Sequence, residues 1–235
     1  MGPRAHPQPA TMTAHASQSK MPPTERLYSA LPFIPNSRSL ATLRKAAQKC
    51  EGCPLYRRAT QTVFGEGSTH AAILFVGEQP GDQEDTSGKP FVGPAGKLLD
   101  KCLAEAGIDR KQTYVTNMVK HFKWEPRGKR RLHEKPNQTE ISACKPWLDR
   151  EIEAVQPKLI LALGATAAQG LLGSGFRVTK QRGSIMRIDG YPPILATVHP
   201  SSLLRQTSHE DRERETQRFV ADLKKCAEFI SEEAS

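Results

Sequence analysis

Four short apolar runs punctuate the chain, at residues 71–76, 113–119, 159–163 and 194–198, each ending in glycine, proline or polar residues. Runs of five to seven such residues suit strands buried on both faces and are too short for core helices. Helical periodicity fills the gaps, near 94–106, 138–155 and 165–172, with a final amphipathic stretch over about 211–231. Upstream, Leu40, Leu43 and Ala47 fall on one helical face behind Ser39. This alternation predicts an α/β fold: a three-layer α/β/α sandwich around a central four-stranded parallel sheet. The first 25 residues hold five prolines and almost no apolar period. Residues 1–36 are therefore expected to form a disordered tail, and 37–235 the domain.

The strand ends carry the polar residues. The first delivers Gly77-Glu78-Gln79-Pro80-Gly81-Asp82, the second Thr116-Asn117 and then Lys120-His121, and the fourth His199-Pro200-Ser201-Ser202. Ligands of open α/β sheets bind outside the carboxyl ends of the strands. Glu78, Gln79, Asn117 and His199 are expected to converge there on one pocket.

The formal charge of +9 and a pI near 9.4 point to a polyanionic partner, nucleic acid or an anionic membrane surface. No apolar run is long enough to span a bilayer, and a soluble protein of a reducing, intracellular compartment is expected. Five cysteines fit metal or cluster binding better than a disulfide framework. Cys50 and Cys53, in a C-x2-C just past the first helix, would place two thiolates at one metal centre.

Gly77-Glu78-Gln79-Pro80-Gly81, Lys89-Pro90-Phe91-Val92-Gly93, Thr116-Asn117 and His199-Pro200-Ser201 together resemble the uracil-DNA glycosylase superfamily, in its iron–sulfur, family 4-like branch. The resemblance covers about residues 40–230. Gly128-Lys129-Arg130-Arg131-Leu132-His133 further resembles the basic loop of the X-type members (UdgX), which excise uracil and stay covalently attached to the DNA.

The resemblance implies a uracil-DNA glycosylase in which Asn117 reads the flipped base, Phe91 stacks on it, and the turn of Gly77, Gln79, Pro80, Gly81 and Asp82 floors the pocket. His199 would stabilise charge developing at uracil O2. His133 would capture the sugar in place of water, with Glu78 orienting its ring and Gln79 helping to position the reaction. A histidine, ordinarily titrating near pH 6.5, keeps a free lone pair at physiological pH. Lys120, Lys129, Arg130, Arg131, Ser201, Ser202 and Arg205 would contact DNA, with Arg130 and Arg131 also holding the loop. The expected substrate is uracil-containing DNA, single-stranded by preference, and the expected state a monomer. A [4Fe–4S] cluster would sit on Cys50, Cys53, Cys144 and His121, the last standing where the family has a cysteine. Cys102 and Cys226 are the alternative fourth ligands, and zinc the alternative metal. Two other functional readings stand: a turning-over glycosylase with a water nucleophile, and a catalytically silent nucleic-acid-binding module on the same scaffold.

Overall fold

The computed structural model describes Gly2 and residues 28–233. Its elements, in chain order, are α1 (Leu40–Ala47), β1 (Glu66–Gly67), β2 (Ile73–Gly77), α2 (Asp82–Ser87), α3 (Pro94–Glu105), β3 (Tyr114–Asn117), β4 (Trp124–Arg127), β5 (Arg130–His133) and α4 (Gln138–Val155). There follow β6 (Leu159–Leu163), α5 (Ala165–Leu172), α6 (Val178–Gln181), β7 (Ile185–Met186), β8 (Ile194–Thr197), α7 (Pro200–Leu204) and α8 (His209–Glu232).

The main sheet runs β1-β3-β2-β6-β8-β7. Its four central strands are parallel, and the two-residue edge strands β1 and β7 pair antiparallel. The sheet is thus mixed and six-stranded, with the four expected parallel strands as its centre. The edges were invisible in the sequence because Glu66–Gly67 and Ile185–Met186 are too short to carry a period. Alternation along each strand divides the core. Leu74, Val76, Ile160 and Ala162 face α1, α4 and α5, whereas Ile73, Phe75, Leu159, Leu161 and Leu163 face α3 and α8.

The chain leaves β2, pairs next to it as β3, and then crosses to the other side as β6 and β8. Successive crossovers therefore diverge from β2, which makes its carboxyl end the topological switch point, where such folds form a crevice.

Two expectations change. Residues 28–36, read from composition as tail, lie on the domain: Ala30 is fully buried and its N–H donates to Ala143 O at 2.8 Å. Tyr28, Phe33 and Ile34 pack on the core, an apolar cluster that the proline-rich segment before it had masked. The rest of the expected tail lies outside the described residues, Gly2 excepted. The basic loop is also more ordered than expected. It is a second sheet, the hairpin β4–β5, turning through Gly128 at φ +59°.

Candidate active site

Four neighbouring strand ends supply the site in spatial order: Asn117 from β3, Gly77 and Glu78 from β2, Thr166 from the segment after β6, and His199 after β8. Gly77 is the register partner of Asn117. A Cβ on Gly77 would collide with Asn117 Oδ1 and lie 2.8 Å from Phe91 Cζ, so this glycine keeps open the gap between amide and ring. Phe91 is buried, and its backbone is held at φ +56°, an unusual conformation for a bulky residue. Glu84 explains how the loop is kept there. Its carboxylate accepts the Gly93 N–H at 2.7 Å and the Gly81 N–H at 3.1 Å, tying the loop to the start of α2.

His199 caps α7. The Ser201 backbone N–H, which can only donate, lies 3.1 Å from His199 Nδ1, so Nδ1 is the acceptor and the neutral ring carries its proton on Nε2. Burial, aided by Arg205 and His133, pushes its pKa down to about 4. The ring therefore presents a neutral Nε2–H donor at this strand end. The same geometry revises the DNA-contact expectation for the two serines. The Ser201 hydroxyl pairs with His199 Nδ1 at 2.8 Å, and the Ser202 hydroxyl donates to His199 O at 2.7 Å. Arg205 is exposed and donates to Ser201 Oγ at 3.1 Å.

His133, at the end of β5, reaches Glu78: Nε2 lies 3.3 Å from Oε1. The hairpin that carries it is fixed at both strands. Gln79 Nε2 donates to Lys123 O and Glu134 O at 3.2 and 2.8 Å, while Gln79 Oε1 accepts the Lys123 N–H at 2.9 Å. The side chain expected to face the base therefore staples the hairpin's root. Arg131 turns inward to Asp82 and the fully buried Asp85, each at 2.5 Å, and to Thr60. Asp82 is thereby engaged as a clamp on the hairpin, its side chain more than half exposed. Lys129 and Arg130 remain exposed at the turn.

Lys120 corrects the DNA-contact expectation outright. It is 1 % exposed, and its Nζ bonds Glu151 at 2.5 Å, Thr116 Oγ1 at 2.7 Å and the Asn117 carbonyl at 2.7 Å. The charge serves the interior: it braces the strand end that presents Asn117.

Sequence reading missed Thr166, Glu84, Asp85 and Glu151. The Thr166 hydroxyl donates to Glu78 Oε2. Its signal was present, because the third strand also ends in a glycine turn with a polar residue, Gly164-Ala165-Thr166.

Cys50, Cys53 and Cys144 are buried in one apolar cluster. Burial pushes the Cys53 thiol up to about 11, and raises Cys144 as well, with Cys53 and Cys50 adding to it. The Lys120 N–H donates to Cys144 Sγ at 3.3 Å. His121 is buried next to Thr62, whose hydroxyl lies 2.9 Å from both Ala47 O and His121 Nε2. Because that hydroxyl donates its one proton to the carbonyl, it accepts from Nε2–H, which leaves Nδ1 as the imidazole lone pair. Three soft thiols and a neutral imidazole are a donor set that fits an iron–sulfur group. The four do not close into a cage: among the described residues no group of three or more ligating side chains does. Cys102 and Cys226 belong to the apolar cluster on the other face of the sheet, which removes both as alternative ligands. Among the described residues, no helix is long and apolar enough to cross a membrane.

The family model described as the Uracil DNA glycosylase superfamily matches residues 64–224. A Type-4 uracil-DNA glycosylase of Thermotoga maritima is 40% identical over 187 residues, 79% of this chain and 92% of its own length. One from Sulfurisphaera tokodaii is 37% identical over 74% of this chain and 81% of its own. A Type-5 uracil-DNA glycosylase of Pyrobaculum aerophilum is 27% identical over 64% of this chain and 72% of its own.

Proposed function

The chain belongs to the uracil-DNA glycosylase superfamily, and on that premise we propose that it excises uracil from DNA and that His133 then captures the sugar. A base inside the stack is out of reach, so the nucleotide must be flipped into the pocket. The Asn117 amide offers a donor and an acceptor to uracil O4 and N3–H, and the Phe91 ring offers a flat face to stack on. As the C1′–N1 bond breaks, its electron pair leaves with uracil, and the His199 Nε2–H stabilises the charge gathering at O2. The electron-poor C1′ then accepts a lone pair from the imidazole of His133, forming a C1′–N bond. The ring proton released by this step passes to Glu78 or to solvent, and uracil is protonated as it departs.

The observation that carries the covalent reading is the His133–Glu78 contact at 3.3 Å on a hairpin clamped by Gln79 and Arg131. A fixed imidazole gains the proximity advantage needed to outrun water. The three relatives described above are named as type-4 or type-5 glycosylases, and this favours a second reading, in which water takes that place and the enzyme turns over. Incubation with a uracil-containing single-stranded oligonucleotide, followed by a denaturing gel, separates the two. A shifted band that survives heat and detergent, and is lost in His133→Ser, supports capture. Free uracil in multiple turnovers without that band supports water.

Lys129, Arg130 and Arg205, all exposed, are the residues proposed to hold DNA phosphates. Cys50, Cys53 and Cys144, with His121 through Nδ1, are proposed to hold a [4Fe–4S] cluster. When bound, the group would staple the end of α1 to α4 and the β3 end. Iron and sulfide assay with a broad visible absorption supports this; a colourless protein with stoichiometric zinc overturns it.

A further inference from the structure

We propose that Thr166 is a positioning residue that fixes the Glu78 carboxylate so that a single oxygen, Oε1, faces the His133 imidazole. The inference rests on the reading that His133 and Glu78 act at the sugar, and names a part of that site which neither the family comparison nor the sequence motifs supply.

Glu78 sits on the turn after β2 and Thr166 at the second position of α5, just beyond β6. These two strands are register partners up to Val76 and Ala162. The contact therefore bridges the crevice at the switch point itself. Thr166 Oγ1 donates to Glu78 Oε2, while Glu78 Oε1 lies 3.3 Å from His133 Nε2. One carboxylate thus links a buried hydroxyl, 4 % exposed, to a half-exposed imidazole.

Three properties suit Thr166 to this task. Its β-branched side chain has few rotamers in a helix, so the hydroxyl is held without much loss of freedom. A threonine inside a helix can turn its hydroxyl onto the carbonyl four residues back. Here that residue is Ala162, within β6 and bonded in the sheet, so the hydroxyl is released for Glu78. Finally, a hydroxyl on Oε2 leaves Oε1 to accept from the imidazole. Accepting from that nitrogen keeps the ring proton on Nε2, leaves the lone pair on Nδ1, and stabilises the positive ring formed on capture. Without Thr166, a glutamate with several rotatable bonds would sample other directions, and His133 would lose its alignment before it lost its place on the hairpin.

The test uses Thr166→Val, which keeps shape and removes the hydroxyl; Thr166→Ala, in case Val disturbs folding; and Thr166→Ser as the rescue. On a uracil-containing single-stranded oligonucleotide three quantities are read: affinity for uracil-free oligonucleotide, single-turnover cleavage rate, and the fraction of cleaved strands that become covalent adduct. The Val or Ala variant should bind DNA as the parent does and lower the ratio of adduct to free abasic strand about tenfold, roughly the partial loss expected of a displaced reacting group. Thr166→Ser should recover most of it. Combining Thr166→Val with Glu78→Gln should add little to Glu78→Gln alone, since both remove one interaction. An adduct fraction within twofold of the parent, or an additive double variant, overturns the proposal. A parent that releases uracil and forms no adduct defeats the capture reading alone. Thr166 is then judged on the cleavage rate, where a Ser-rescued tenfold loss supports it and no loss overturns it.

Discussion

A methyl group on Gly77 would strike the Asn117 amide and crowd the Phe91 ring, so the smallest side chain in the turn controls whether a planar base can enter. Gly77→Ala should cut single-turnover uracil excision on the order of 100-fold, the loss typical of a displaced reacting geometry, while circular dichroism stays that of the parent. Unchanged excision would mean that the base does not lie between Asn117 and Phe91. Residues of this kind were legible in the sequence because each is a glycine or polar group at the end of an apolar run. Thr166 carried that strand-end signal but not its role, and Glu84 and Asp85 carried neither, for a physical reason: their meaning lies in partners distant along the chain. Thr166 finds Glu78 across 88 residues, and Asp85 finds Arg131 across 46. A local pattern reports which residues end a strand, and says nothing of which strand lies next to it.

On the proposed capture by His133, the hairpin β4–β5 is the element whose behaviour decides the outcome of the reaction. Its strands carry Arg127, Arg130, Arg131 and Pro126 instead of an apolar alternation, which is why the sequence read as a basic loop. Its order comes from elsewhere: Gln79 at the root, Arg131 on Asp82 and Asp85, and Trp124, whose indole N–H donates to Arg58 O at 2.8 Å under the Arg58 guanidinium. The helices α3, α4 and α5, by contrast, appear close to where periodicity put them, because their stability resides in their own apolar faces. Gln79→Ala removes three bonds that join the hairpin to the turn, and leaves two backbone carbonyls and an amide to find other partners. It should lower the yield of covalent adduct at least about tenfold while slowing glycosidic cleavage less, since on the proposed mechanism cleavage rests on Asn117 and His199 and not on the hairpin. Equal losses in both measurements would return Gln79 to the role the sequence suggested, at the base itself.

At the scale of the whole molecule, buried charge is placed where it braces the rim of the sheet. Glu151, fully buried, accepts from Gly65 N, Tyr114 OH, Thr116 Oγ1 and Lys120 Nζ, and Lys120 in turn holds the Asn117 carbonyl. Lys120→Met would leave that carboxylate without its cation and should destabilise the fold by about 3–5 kcal/mol in denaturant unfolding. A variant of full stability with weakened DNA affinity would restore Lys120 to the surface. The net charge of +9 thus overstates what the protein offers a polyanion, and composition could not have told the braced lysine from an exposed one. A second whole-molecule property follows from His199. Burial holds its folded pKa at about 4, whereas an unfolded chain would titrate near pH 6.5. Between these values the unfolded state binds more protons than the folded one, so stability rises with pH across that window and is lost as pH falls from about 6.5 towards 4. The contribution is on the order of 3 kcal/mol when fully lost. His199→Gln should flatten the stability profile in that window, measured by urea unfolding at pH 7.0, 5.5 and 4.5. A parent whose slope matches that of the variant would mean that His199 takes up its proton as readily in the folded protein as in the unfolded chain, so that burial does not hold the Nε2–H donor neutral through this window.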